Sequence, residues 1–201
     1  VNADNGSRLD SSEPSASLFD HAIVNFQLGD SVYWIDPTVA YQRGGITRIA
    51  TPDYGYALIV REGVDSLTPM RVRPPRHVDI TERFALSKDN SAPGTLEVVT
   101  RYEGAAADAM RADWNASSQG SLQQSYLDYY NKLYTHVSLA DSLRMSDDPE
   151  ADIVTTREKY LLKEPWQTTD SVRKKTVFIA YAQSLSSELP GAVDENRKAP
   201  L

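Results

Sequence analysis

The residues of this chain whose types and spacing could do chemistry together are His21 and Asp36. An imidazole accepts a proton from a nucleophile and returns it to a leaving group, and a carboxylate fixes which ring nitrogen holds that proton. What lies between them determines whether they meet. Ala22, Val24, Phe26 and Leu28 alternate with Ile23, Asn25 and Gln27. Gly29-Asp30 is a two-residue turn signal, and Val32 to Ile35 reads as a second strand. Pro37 ends it, because proline has no N–H for a continuing ladder. With a two-residue turn the paired residue numbers sum to 59, which sets Asp36 opposite Ile23 and His21 opposite Thr38. His21 and Asp36 are then expected as diagonal neighbours on one face, about 7–8 Å apart between positions, within reach of a leaning imidazole. An odd-length turn would shift the register and part them.

The nucleophile is the missing member. The 201 residues contain no cysteine, which excludes a thiol, a disulfide or a zinc–thiolate site within them, and no Gly-x-Ser-x-Gly elbow offers a serine instead. No metal or other cofactor is expected. His77 and His136 lack a partner at metal-ligand spacing and read as surface residues, and Asp147 to Asp152 lacks the glycine and spacing of a calcium loop and reads as a solvated turn. Tyr126, Tyr129, Tyr130 and Tyr134 could form a ligand platform, but Tyr126, Tyr129 and Leu133 recur at helical spacing and read as core. Arg71, Arg73 and Arg76 read as solvated or paired and are assigned no site, and Asn115-Ala116-Ser117 is a sequon too common to weigh.

The elements that must position the pair follow from the patterning. Residues 1–18 are polar, aperiodic and interrupted by Pro14, so an exposed loop is expected before Phe19. The opening Val1 to Ser7, without an initiator methionine, reads as mid-protein sequence, so the chain is expected to be a fragment or a processed piece. Tyr54 to Val60 is expected as a strand belonging with the first hairpin. Pro69 to Pro75, with three prolines, is expected to connect two domains, with the boundary near Pro74-Pro75. Beyond it Val78, Ile80, Phe84 and Leu86 alternate with polar residues, as do Leu96, Val98, Thr100 and Tyr102 with theirs. The period then lengthens. Ala107, Met110 and Trp114 suit a short helix, and Leu122, Tyr126, Tyr129 and Leu133 a longer one, with Ser121 and Gln124 at capping-box spacing. Strands are expected again over 153–162 and 176–181, then a short helix over 183–189. The fold class is α+β: residues 1–75 a β-rich unit, and residues 76–201 a β-β-α-α-β-β unit, read as unfinished at its C-terminal end.

Composition narrows the partners. A content of 40% hydrophobic and 24% charged residues supports a real core. The net charge of -7, scattered without basic runs, argues against nucleic acid and anionic membranes. No stretch is long and apolar enough for a membrane helix, so no membrane insertion is expected.

The segments Phe19-Asp20-His21-Ala22-Ile23-Val24 and Tyr33-Trp34-Ile35-Asp36-Pro37-Thr38 resemble the histidine and aspartate motifs of the transglutaminase-like superfamily of papain-like cysteine enzymes. They are closest to its bacterial branch, in which the core is flanked by domains of uncharacterised function. The similarity continues weakly through Gln42 to Gly45, Pro52 to Leu58, Arg101 to Gly104 and Tyr126 to Tyr130. It implies that residues 1–75 are the antiparallel β half of such a core, with His21 and Asp36 as the catalytic histidine and aspartate. It also implies a cysteine at a helix start in an upstream part of the same protein, and an accessory domain over 76–201. The implied activity is attack on a peptide or carboxamide carbonyl of a protein or peptide substrate, followed by hydrolysis or acyl transfer, with the 201 residues inactive alone. A periplasmic location is implied as well. The alternative is a non-catalytic protein- or glycan-binding module with a degenerate transglutaminase-like fold.

Overall fold

The computed structural model describes residues 1–71, 76–170 and 175–181, and the fold is α+β with antiparallel sheets. The strands are β1 (Val24–Leu28), β2 (Ser31–Ile35), β3 (Tyr56–Leu58), β4 (Leu67–Pro69), β5 (Arg76–Ala85) and β6 (Gly94–Gly104). After the helices α1 (Ala105–Ala116) and α2 (Gln119–Leu133) come β7 (Val137–Leu139), β8 (Arg144–Asp148), β9 (Ile153–Leu162), β10 (Gln167–Asp170) and β11 (Lys175–Val177). Three pairs, β1-β2, β3-β4 and β10-β11, are separate two-stranded sheets; the larger sheet has the order β5-β6-β9-β7, with β8 also on β9. The expected strand at Tyr54–Val60 therefore exists in shortened form but pairs with Leu67–Pro69 rather than with the first hairpin. The expected boundary at Pro74-Pro75 and the helix expected over 183–189 lie outside the described residues.

By contact the described chain divides into two units. The first comprises Val1–Asp79, Thr100–Gln119 and Arg144–Thr156, and it has two cores. One gathers Val1, Trp34, Ala57 and Met70, with Ile23, Tyr54 and Ile59 packed on them; the other gathers Ala107, Met110 and Val154 with Tyr102 and Met145. The expectation of an exposed loop before Phe19 is corrected here. Short 3₁₀ turns form at Gly6–Ser11 and Ala16–Leu18, and Val1 and Leu9 are buried. Isolated apolar residues in a polar stretch show no period, yet each removes its own apolar area from water when a neighbour covers it. Two glycines allow the close approach this needs: a Cβ at Gly6 would fall on the Tyr54 carbonyl, and one at Gly55 would meet the Ser7 backbone.

This unit also buries charge. Arg111 on α1, 2% exposed, donates to Asp108 at 2.8 Å, to Asp152 at 2.8 Å and to Asp147 at 2.9 Å. The acidic run expected as a solvated turn is thus partly an interior ion-pair network, because the guanidinium fork bonds carboxylates 36 and 41 positions away.

The second unit comprises Ile80–Val99, Gly120–Leu143 and the described residues from Arg157 onward. Its core holds Leu96 and Val98 of β6, Tyr130 and Tyr134 on and just after α2, Val137 of β7, and Tyr160 and Leu162 of β9. The alternation expected for β6 is present, with Leu96, Val98 and Thr100 buried. The alternation of β5 is covered at only one end: Phe84 packs on the core while Val78 and Ile80 are exposed. Ser121 is the third residue of α2 rather than the residue that opens it, as the expected capping box required.

Candidate active site

The turn chemistry sets the site. Gly29 adopts a left-handed φ of 59°, which a two-residue hairpin turn needs at its first position and which glycine supplies without steric cost. The pairs then run from Leu28↔Ser31 to Val24↔Ile35, each summing to 59. Trp34 and Ile23 point to the face that enters the core, and His21 and Asp36 continue that face past the strand ends. The expected pairing is present: His21 Nε2 and Asp36 Oδ2 lie 2.8 Å apart.

Asp36 is 1% exposed and its carboxylate is saturated. Oδ1 accepts from the Thr38 N–H at 2.9 Å and the Thr38 hydroxyl at 2.7 Å; Oδ2 accepts from the Tyr54 hydroxyl at 2.6 Å and from His21. Burial opposes ionisation, but the hydrogen bonds from Tyr54, Thr38 and His21 outweigh it and hold the carboxyl well below the usual carboxylate range. The Tyr54 phenol moves the opposite way, pushed up to about 12 by burial, by its bond to Asp36 and by the charge there. It stays a donor across the physiological range.

An ionised carboxylate only accepts, so the proton in the His21–Asp36 bond belongs to Nε2, and in the neutral ring the lone pair sits on Nδ1. Among the described residues Nδ1 has no hydrogen-bond partner, and the side chain is 21% exposed. The ring is fixed from three sides. Tyr54 meets it edge-on with centroids 5.5 Å apart, Asp36 holds Nε2, and the backbone of Val1 bonds both the N–H and the C=O of His21. The arrangement can take a proton at Nδ1 from a thiol, hydroxyl or water brought to that side, while the buried charge of Asp36 stabilises the imidazolium that results.

Sequence reasoning missed Thr38 and Tyr54. Asp-Pro-Thr, with Thr38 two residues after the aspartate, is a local signal of a side chain accepting from a nearby N–H. Tyr54 had no such signal, since tertiary packing alone brings it to Asp36. Among the described residues none of the other candidates hydrogen-bonds His21 or Asp36. His77 bonds Asp79 at 3.0 Å at the surface, His136 is exposed, Arg71 is exposed, and Arg73 lies outside the described residues. Tyr130 and Tyr134 are core, whereas Tyr129 is largely exposed. The hydroxyls of Tyr130 and Tyr160 donate to Glu82 at 3.0 Å and Glu158 at 2.5 Å; burial, with Glu82 nearby and against the Tyr160 bond, pushes Glu158 up to about 7. Among the described residues no group of three His, Asp or Glu side chains is placed to hold a metal ion, and no helix is long and apolar enough to cross a membrane.

Comparison of the chain with protein-family models, with curated proteins and with solved structures returns no match.

Proposed function

We propose that His21 and Asp36 are the imidazole and carboxylate of a Cys-His-Asp centre in a transglutaminase-like cysteine hydrolase or acyltransferase, its thiol supplied by polypeptide outside these 201 residues. The observation that carries this reading is the 2.8 Å bond from His21 Nε2 to a buried, four-donor carboxylate, which leaves Nδ1 as the basic atom. Nδ1 takes the thiol proton, and the thiolate attacks a peptide or carboxamide carbonyl. The imidazolium then returns that proton to the departing amine as the C–N bond breaks, leaving a thioester. Water or a second amine, deprotonated by the same nitrogen, releases the acyl group.

The test uses the complete protein that carries the thiol. His21→Ala is expected to abolish thioester formation, followed by intact mass, and to slow iodoacetamide alkylation of the thiol near pH 6, where only an imidazole-paired thiolate is abundant. Full activity and unchanged alkylation in the variant refute the reading. A non-catalytic binding module is the second reading, favoured by the lack of cysteine in these residues; it predicts that no thiol in the complete protein responds to His21.

A further inference from the structure

The segment that leads into His21 also walls a groove that the hydrogen-bonded pair does not use. The groove, within the first unit, encloses about 630 Å³. Its apolar lining comes from Leu9, Leu18 and Phe19 on one side and from the cross-strand pair Leu58 and Leu67 of β3 and β4 on the other. Leu58 is 37% exposed, so the lining is open to a ligand. Two carboxylates, Asp10 and Asp65, also line it. Among the described residues no cation pairs with either; the Asp10 carboxylate beside the Tyr56 hydroxyl raises the phenol's pKa. Phe19 is two residues before His21, and the stretch 18–21 is tied to the N-terminal residues by Asn2 Nδ2 donating to the Leu18 carbonyl, the Ala3 N–H donating to the Asp20 carboxylate, and the Val1 amine donating to the His21 carbonyl.

We propose that this groove is the substrate subsite of the reaction assigned above, taking a peptide stretch with an aliphatic or aromatic side chain next to lysine or arginine. The inference rests on that functional reading for its role and on the groove itself for its chemistry. Its volume falls among those that enclose a small ligand, about 300–1,000 Å³, which is room for a short peptide rather than one side chain. Leucine and phenylalanine walls select apolar groups, and two carboxylates that no cation among the described residues neutralises favour a cation and repel the head group of a fatty acid. A peptide seated there lies along the same stretch of chain that presents the imidazole, so binding and the position of His21 are coupled through Phe19 and Asp20.

The subsite is tested by binding rather than turnover. The isotope-labelled 201-residue chain is titrated, by amide NMR, with an N-acetylated and C-amidated hexapeptide alternating leucine and lysine. The comparison peptides carry glutamate in place of lysine or serine in place of leucine. The leucine–lysine peptide is expected to shift Leu9, Leu18, Phe19, Leu58 and Leu67 saturably, with affinity about fivefold or more above both comparison peptides. Asp65→Lys, an exposed change that leaves the fold intact, is expected to invert the preference between lysine and glutamate peptides, and Leu58→Ser to weaken both. Equal binding of all three peptides, shifts confined to other residues, or an unchanged preference in Asp65→Lys overturns the subsite. Because the chain has no thiol, such a failure leaves the His21–Asp36 assignment untouched, and an active His21→Ala enzyme leaves the subsite standing as a binding groove.

Discussion

Removing the Tyr54 hydroxyl isolates a side-chain bond that ties the candidate site to one core of the first unit. In Tyr54→Phe the ring keeps its packing beside Ile23, Trp34 and His21, and only the 2.6 Å donation to Asp36 is lost. Two routes bound the cost. A hydrogen bond to a charged group contributes about 1.5–3 kcal/mol. The phenol's rise from 10.0 to about 12 corresponds to about 2.7 kcal/mol for two pH units, an upper limit because burial is its largest cause. About 2 kcal/mol is therefore expected, which for a chain of this size lowers Tm by about 4–8 °C. The pH dependence follows from Asp36. Its folded pKa is depressed, so its contribution is present above the unfolded value of about 3.9 and is lost as pH falls through the lower folded value. The gap between wild type and variant should thus hold from neutral pH to about pH 4 and close only in stronger acid. Calorimetry at several pH values measures the gap, and carboxyl-carbon NMR should show the Asp36 titration moving up toward the ordinary carboxylate range. A variant within about 1 °C of wild type, with Asp36 titrating as before, refutes the claim that Tyr54 holds the carboxylate.

The buried ion-pair network gives two further expectations. Arg111→Met leaves Asp108 and Asp152 in the interior without their counter-charge and should cost about 3–5 kcal/mol, read as a lower urea midpoint. Asp108 itself is pushed up to about 6 by burial and by Asp152, against the pull of Arg111. Its neutral form contributes stability that is fully present below about pH 4 and lost as pH rises through 6. Asp108→Asn, neutral at every pH, should gain about 1–3 kcal/mol on wild type between pH 4.5 and 7.5 in urea titrations, and an equal offset at both refutes the assignment.

The His21–Asp36 contact was legible because a hairpin with a two-residue turn is arithmetic: once Gly29-Asp30 sets the sum, strand alternation fixes which side chains share a face. Long periodic elements such as β6, β9 and α2 were legible for the same reason, since repetition averages over local exceptions. What escaped was long-range or short. Val1 and Leu9 enter a core without any pattern around them, Tyr54 reaches Asp36 only through the fold, and β3 finds β4 rather than the hairpin. Strands of three to five residues, β7, β8 and β10, carry too few alternations to register. The acidic run at 147–152 looks solvated because its partner, Arg111, is 36 positions from Asp147.

The saturation of Asp36 has a consequence for modularity. All four donors to the carboxylate come from this chain, at His21, Thr38 and Tyr54, so the imidazole is oriented before any nucleophile arrives. A base finished in advance asks little of its partner beyond placing one acidic hydrogen near Nδ1. In the centre proposed for this chain, a nucleophile-bearing piece could then be exchanged, split off as a separate polypeptide or redesigned, while the groups that set the histidine's tautomer stay where they are.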